Sequence, residues 1–412
     1  MKVLIINYND TKGGAAIATY RIHKSLLKLG VNSTFLVYRK FSDDKTVEGP
    51  VNIFVKYYRL SRQRLSSLLC FPFIKSKNVF NSASFLRSNL SQFINDSDFD
   101  IVHLNWINYD YISIEDISKI TKPFIWTLHD MWAFCGAEHL SWDDQYINGY
   151  KENFIFFNMF NINLNSIVWK RKRKLWKNPI HIVTPSKWLS DCVNKSLLMK
   201  GWPTTIINNP IDTKMWHNIG RNFARDKNGF KSDEKIIIFS TSESLNNFNK
   251  GFDLLLNALL TLSNTNFKLL IIGALDKNFK IELPFDIVFF DKINNQDKLI
   301  ELYSCANLVV IPSRQESLSY VAIEALTCSC PVVAFDNSGI KDVVKHMVNG
   351  YLARAYDTTD FANGVELILN NDQLAESFSH NGRQFALSNL DQVIIASKYK
   401  DLYTRIINQL KN

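Results

Sequence analysis

The sequence predicts an α/β chain built of two doubly wound parallel-sheet domains. Three observations carry that expectation. Short β-branched apolar runs alternate with stretches of helical periodicity, the pattern of parallel βαβ units. The alternation comes in two series, the second beginning near residue 235. The length of 412 residues, at roughly 100–200 per domain, suits two full cores.

In the first series, Lys2 and the apolar run behind it read as a strand at 2–7. A helix follows from 14 to 29, and Gly30 stops it. Further strands fall at 32–38, 101–106, 124–129 and 181–185. The second series places strands at 235–239, 267–273, 287–290, 308–312 and 331–335, with helical patterns at 251–263, 297–305, 318–328 and 358–371. Between the series lies Ile207-Asn208-Asn209-Pro210-Ile211-Asp212. Asn-Pro breaks regular structure, so the linker is set at 205–215. An amphipathic pattern from 392 to 410 forms a last helix. The expected domains are 1–205 and 206–390, with a C-terminal helix over 391–412 able to cross back to the first domain. Two such domains facing each other place a ligand cleft at the C-terminal edges of their strands.

Composition narrows the function. With 46% hydrophobic and 21% charged residues, the chain is neither disordered, collagenous nor a coiled coil. Lys plus Arg number 48 against 39 Asp plus Glu, and this +9 balance favours anionic partners such as nucleotide phosphates or phospholipid head groups. No nucleic-acid-binding module is recognisable. The N-terminal MKVLIINYND lacks the apolar core of a signal peptide. No stretch reaches the ~18 apolar residues of a membrane span. Six cysteines, at 70, 135, 192, 305, 328 and 330, show no framework spacing. They read as buried, reduced thiols, so a cytoplasmic protein is expected.

Four places could carry chemistry. Thr11-Lys12-Gly13-Gly14-Ala15-Ala16 joins the first strand to a helix, where small residues let backbone N–H groups approach a phosphate. It is not a G-x-G-x-x-G, and a plain tight turn explains it equally. Glu316 and Glu324 stand with seven residues between them, after the strand at 308–312. On one ideal helix they would lie ~80° apart, so they share a cleft only if Glu316 sits in the loop ahead of the helix. Carboxylates accept from hydroxyl pairs, which suits a sugar or a ribose, although two surface glutamates have the same spacing. Lys250, in Asn249-Lys250-Gly251-Phe252-Asp253, lies between a strand and a helix, where lysine can bind phosphate or simply be solvated. His129 ends the run Phe124-Ile-Trp-Thr-Leu-His-Asp130, at a strand end where α/β proteins keep their sites or hold a structural histidine.

In this order and on these elements, the chain resembles a GT-B fold, family 4 retaining glycosyltransferase, over nearly its whole length. The resemblance rests on the Gly13-Gly14 loop, the run from Phe99 to Trp106, Thr127-Leu-His-Asp130 and Val183-Thr-Pro-Ser186. It continues through Ile207-Asn-Asn-Pro-Ile-Asp212, Lys250-Gly251 and the E-x7-E run into Pro331-Val-Val-Ala-Phe335. The segment Trp126-Thr-Leu-His-Asp-Met-Trp132 is similar to members that build bacterial surface polysaccharides of the colanic-acid and O-antigen type.

The resemblance implies two Rossmann-like domains across a cleft, the first on the acceptor side and the second on the side of a UDP- or GDP-sugar donor. Glu316 would touch the donor sugar near the reacting face, with Ser317 and Leu318 beside it. Glu324 would hold the ribose hydroxyls, and Lys250 the diphosphate. The backbone at Gly13 and Gly14 would approach that diphosphate, and His129 would contact the donor sugar. The anomeric configuration would be kept, with the departing phosphate oxygen taking the acceptor's proton and no carboxylate acting as nucleophile. No cofactor and no metal would be needed, and the acceptor would be a glycan or a lipid-linked glycan.

Some residues depart from the family's pattern. The arginine usual several residues before the lysine is absent from the run 241–249. Ser317, Ser319 and Ser329 stand where glycines are common, and the extra cysteines frequent after His-Asp-Met-Trp are reduced to Cys135. Asp98-Phe99-Asp100 mimics a metal-binding D-x-D but precedes a strand, on the wrong edge for the cleft. Two basic-aromatic segments, 54–73 and 168–177, suit an anionic membrane at the inner face, with Lys170, Arg171, Lys172, Arg173 and Lys174 as a five-cation cluster, or else a solvated helix face. A catalytically silent GT-B partner subunit and a nucleotide-sugar epimerase of the same fold are the competing functions.

Overall fold

In a computed structural model of the protein, residues 1–50, 52–70, 80–150, 163–274 and 283–409 are described. The chain divides into two compact units, Met1–Asn209 with Ile395–Asn412, and Pro210–Ile394.

The first unit runs β1 (Lys2–Asn9), α1 (Gly14–Lys28), β2 (Asn32–Arg39), β3 (Val47–Glu48), α2 (Ile53–Cys70), α3 (Leu90–Asp96), β4 (Ile101–Leu104), α4 (Ile114–Ile117), β5 (Phe124–Thr127), α5 (Gln145–Asn148), α6 (Leu164–Leu175), β6 (His181–Thr184), α7 (Lys187–Lys195) and β7 (Thr204–Ile206). Its sheet is parallel in the order β3-β2-β1-β4-β5-β6-β7. β1 is continuously apolar from Val3 to Ile6 because both sheet faces are covered. Leu4 and Ile6 enter one core, Val3 and Ile5 the other.

The second unit runs α8 (Arg221–Asn228), β8 (Ile236–Ser244), α9 (Phe252–Leu259), β9 (Lys268–Ala274), β10 (Asp286–Phe290), α10 (Gln296–Cys305), β11 (Leu308–Ile311), α11 (Tyr320–Thr327), β12 (Val332–Phe335), β13 (Gly350–Ala353), α12 (Thr358–Leu369) and α13 (Asp372–Asn389). Its six-stranded parallel sheet has the order β10-β9-β8-β11-β12-β13. Ile236 and Ile238 face one core, Ile237 and Phe239 the other. In both sheets the order reverses between the first and fourth strands, as in doubly wound Rossmann-like folds. Ligands there sit beyond the carboxyl ends of the strands at that switch point.

The last helix, α14 (Gln392–Gln409), starts in the second unit and belongs to the first from Ile395 onward. Its stripe of Ile395, Tyr399, Leu402, Tyr403 and Ile406 enters the core holding Val3 and Ile5. Buried His103 of β4 lies 2.7 Å from both the Tyr403 hydroxyl and Thr127 Oγ1. β13 and α13 have no counterpart among the expected elements. β13 opens on Gly350, where a Cβ would stand 2.4 Å from the Val332 carbonyl oxygen, so glycine is required by close approach. Within α13 the interior Gly382 interrupts the apolar pattern, and a Cβ there would lie 2.8 Å from Leu326. No helix among the described residues is long and apolar enough to cross a membrane.

Candidate functional site

In the second unit, two connections at the switch point come together. One leads from β8 through a 3₁₀ turn, Phe248–Lys250, into α9. The other leads from β11 into α11 and carries Glu316. Gly251 has φ of +67°, and a Cβ on it would stand 2.0 Å from the Pro312 carbonyl oxygen. Only glycine lets the two connections approach this closely. They are then stitched. Arg314 N–H donates to the Asn249 carbonyl at 2.8 Å, and Asn249 Nδ2 donates to the Gln315 carbonyl at 2.8 Å. The Arg314 guanidinium forks onto Asp253 at 2.8 and 2.5 Å, and its face covers the Phe248 ring at 3.9 Å. That fork holds the Asp253 carboxyl below the usual carboxylate range.

The result is an ion pair. Lys250 Nζ donates to Glu316 Oε1 at 2.9 Å, and Ser313 Oγ donates to the same oxygen at 2.9 Å. Both side chains keep partial exposure, 22% and 16%. The Glu316 backbone is fixed as well. Its N–H donates to Ser338 Oγ at 2.9 Å, and its carbonyl accepts from Gly339 N–H at 2.8 Å.

Glu316 sits in the loop ahead of the helix, and Glu324 sits on α11 itself. Ser319 caps that helix by accepting from Ala322 N–H. Glu324 is buried, with the Tyr303 hydroxyl 3.5 Å from Oε2. Ser317 is half-buried between the glutamates. The Leu318 side chain lies in the core, so its backbone is what this loop can present to a ligand.

In the first unit, Gly13 is the N-cap of α1 with φ of +93°. Space within 4 Å of the Cβ positions of Gly13 and Gly14 is open, so the helix start is approachable. His129 follows β5. Its Nε2 lies 3.0 Å from Asn105 Oδ1, an acceptor, which assigns the ring proton to Nε2 and leaves Nδ1 as the acceptor. Burial pushes the His129 pKa down to about 4, against the pull of Asp130, so the ring is neutral at pH 7.

Sequence reasoning passed over a polar cluster beside it. Asp130 Oδ2 accepts from His139 Nδ1 at 2.5 Å and Trp106 Nε1 at 2.7 Å, while Oδ1 accepts from Trp132 N–H. Burial works to raise the Asp130 carboxyl, but His139 and these donors hold it below its ordinary range. His139 Nε2 lies 2.9 Å from Ser82 Oγ. The connectivity is that of a Ser-His-Asp triad, yet Ser82 is buried at 3% exposure, out of reach of a substrate. The cluster fixes the strand end that carries His129. Its signal in the sequence was Asp130, directly after His129.

The five-cation cluster is corrected. Lys172 is fully buried, donating to the carbonyls of Trp132, Cys135 and Gly136 with Nζ 3.7 Å from the Trp132 ring centroid. Arg171 pairs with Glu115 at 2.8 Å. Trp169 and Trp176 are buried core residues. Only Lys170, Arg173 and Lys174 of the run are exposed. Both decoy carboxylates are engaged by Lys2: Asp98 pairs with Lys2 Nζ at 2.5 Å, and Asp100 accepts from Lys2 N–H at 2.7 Å.

The two strand orders, with Glu316 ahead of α11 and Glu324 on it, define a protein of two Rossmann-like domains of the GT-B type. Comparison with known proteins agrees. The family described as Glycosyltransferase Family 4 matches residues 12–215, and Glycosyl transferases group 1 matches residues 220–385. The chain belongs to the GT-B family 4 glycosyltransferases. It is 26% identical over 216 residues to N-acetyl-alpha-D-glucosaminyl L-malate synthase of Bacillus anthracis, covering 50% of this chain and 54% of that one. It is 27% identical over 150 residues to the capsular polysaccharide biosynthesis glycosyltransferase CapM of Staphylococcus aureus, covering 35% and 39%. The chain thus spans about half the length of these curated relatives, or less. The Anabaena protein HepE, solved in complex with UDP-glucose, superposes with a TM-score of 0.66 at 15% identity, over 98% of this chain and 100% of that one.

Proposed function

We propose that the protein is a retaining glycosyltransferase that moves a hexose from a nucleoside-diphosphate sugar to a glycan or lipid-linked glycan in bacterial surface-polysaccharide synthesis. The observation that carries this is the Lys250–Glu316 pair at the switch point of the second unit, an exchangeable cation beside a carboxylate. Lys250 neutralises the donor diphosphate, and the sugar's hydroxyls take over the Glu316 carboxylate. Glu324, eight residues on, accepts from the ribose hydroxyl pair. Ser317 and the Leu318 backbone line the loop between. In the first unit, Gly13 and Gly14 are assigned to a phosphate and the neutral His129 Nδ1 to a sugar hydroxyl.

The departing phosphate oxygen takes the acceptor's proton on the face it leaves, so the anomeric configuration is kept. Catalysis rests on positioning and on stabilising an oxocarbenium-like state. Charge on the diphosphate is met by Lys250 and backbone N–H groups without a metal ion. Relatives support the context: HepE was solved with UDP-glucose, and CapM is named for capsular polysaccharide. The chain would work in the cytoplasm, at the membrane face where a lipid-linked acceptor is held. A thermal-shift screen with UDP, GDP, ADP and their sugars tests the donor site, because a ligand bound only by the native state raises apparent stability. Nucleotide release without acceptor then tests turnover. No shift with any nucleotide, and no release, would defeat the reading.

A further inference from the structure

The helix α2 is turned inside out. Arg59 donates inward to the Val37 and Tyr38 carbonyls at 3.0 and 2.8 Å. Arg62 donates inward to the carbonyls of Arg87, Leu86 and Asp110 at 2.7, 3.1 and 2.9 Å. Ser66, on the same side, is buried. The opposite side carries Phe54, Tyr57, Tyr58, Leu65 and Leu68. At ~100° per residue these five fall within an arc of about 100°. All are exposed, Phe54 by 82% and Leu68 by 68%. A helix packed on a sheet ordinarily sends its apolar stripe inward and its charges outward. Here hydrogen-bonded arginines hold the helix down and the aromatic stripe faces away. Such a contiguous patch marks an interaction surface.

From this we infer that α2 is a membrane-inserting helix that lies in the plane of an anionic bilayer. The proposal rests on the transferase reading above, whose lipid-linked acceptor it places. Charge selects the occupant. The helix carries Lys56, Arg59, Arg62 and Arg64 and no acidic residue. Exposed Arg64 borders the stripe, and exposed Lys56 lies about 100° beyond its edge on the same side, where head-group phosphates would meet them. A second copy on this face would oppose cations to cations. Arg59 grips Val37 and Tyr38, at the C-terminal end of β2. That is the sheet edge that also carries Gly13 and His129, so α2 brings the bilayer to the edge of the assigned site. The part of the basic-aromatic segment beyond Cys70 lies outside the described residues.

The test uses the full chain with vesicles of phosphatidylcholine alone, or mixed equally with phosphatidylglycerol, in co-sedimentation at low and high salt. The wild type is expected on the anionic vesicles, with binding that weakens as salt rises. The triple substitution Phe54→Ser, Tyr57→Ser and Leu68→Ser, all at exposed positions, should lower partition by about tenfold or more. Lys170→Gln, Arg173→Gln and Lys174→Gln on α6 together should change it by no more than about twofold. The serine variant should bind nucleoside diphosphate as the wild type does. No partition of the wild type, or equal partition of wild type and serine variant, overturns the proposal. So does a serine variant that turns a dimer into a monomer while vesicle binding is unchanged, since the face then belongs to a second copy. Serine-sensitive vesicle binding by a chain that binds no nucleotide would uphold the membrane role and defeat the transferase reading.

Discussion

Lys250 Nζ and Glu316 Oε1 lie 2.9 Å apart, though the residues are separated by 66 positions in sequence. The pair exists because Gly251 lets its connection pass against Pro312 and because Arg314 locks the two connections together. A diphosphate arriving here must compete with the glutamate for the ammonium.

If Lys250 and Glu316 hold the donor as proposed, the Arg314 clamp acts as a positioning device. Arg314→Lys should weaken donor binding without touching the donor, since lysine cannot reproduce the two-pronged contact with Asp253. A double-mutant cycle with Asp253→Asn should give a coupling of about 0.5–1 kcal/mol, modest because Asp253 is largely exposed. Urea unfolding measures the coupling, and titration with donor nucleotide measures the positioning. Unchanged nucleotide affinity in Arg314→Lys would reduce the clamp to a surface ion pair.

Lys172→Gln should destabilise the first unit by roughly 3 kcal/mol, because three buried carbonyls lose the ammonium they share. Lys170→Gln and Arg173→Gln, on exposed parts of the same helix, should stay within about 0.5 kcal/mol. Tryptophan fluorescence in urea reads this unit directly, since every tryptophan but Trp216 lies in it.

Three histidines of the first unit, the buried His23 and His103 and the half-buried His129, set an acid limit. Burial pushes the pKa of His103 down to about 3, and those of His23 and His129 to about 4. Above the unfolded value near 6.5, both states are neutral and stability is full. As pH falls below that value, the unfolded chain takes up protons that the folded chain refuses. Stability should drop between about pH 6.5 and 4, by up to about 1.4 kcal/mol per pH unit for each histidine. His23→Gln should make the urea midpoint less sensitive to pH over that window. An unchanged slope would contradict the assignment.

Activity should survive excess EDTA if Lys250 and backbone N–H groups meet the diphosphate charge. Loss of turnover in EDTA, restored by magnesium or manganese, would require a metal in the account.

The parallel core strands were legible because both faces of each sheet are covered, so the Val3–Ile6 stretch of β1 and all of β11 and β12 read as unbroken apolar runs. Glu316 and Glu324 were legible as a pair because their spacing straddles a helix start. Their partners were not. Ser313, Arg314 and Asp253 are ordinary surface residue types until the fold brings two distant connections together. The basic run 170–174 misled for a local reason: five cations in a row read as a cluster facing an anionic membrane or solvent. The contrary sign was the i, i+4 ladder Leu164, Val168, Lys172, which puts Lys172 on the buried side of α6. Likewise, the aromatics of 54–68 pointed to a helix, but only the hydrogen bonds of Arg59 and Arg62 show which side faces out.

The most direct test of the donor site is calorimetric titration of the bare nucleoside diphosphate into wild type, Glu324→Ala and Glu316→Ala. If Glu324 holds the ribose, Glu324→Ala loses roughly 1.5–3 kcal/mol of binding free energy, the range for a charge-assisted hydrogen bond. Glu316→Ala, which removes the proposed sugar contact and the carboxylate that competes for Lys250, keeps at least wild-type affinity for the nucleotide while turnover falls. Equal losses in both variants, or none in Glu324→Ala, would contradict the assignment of the two carboxylates.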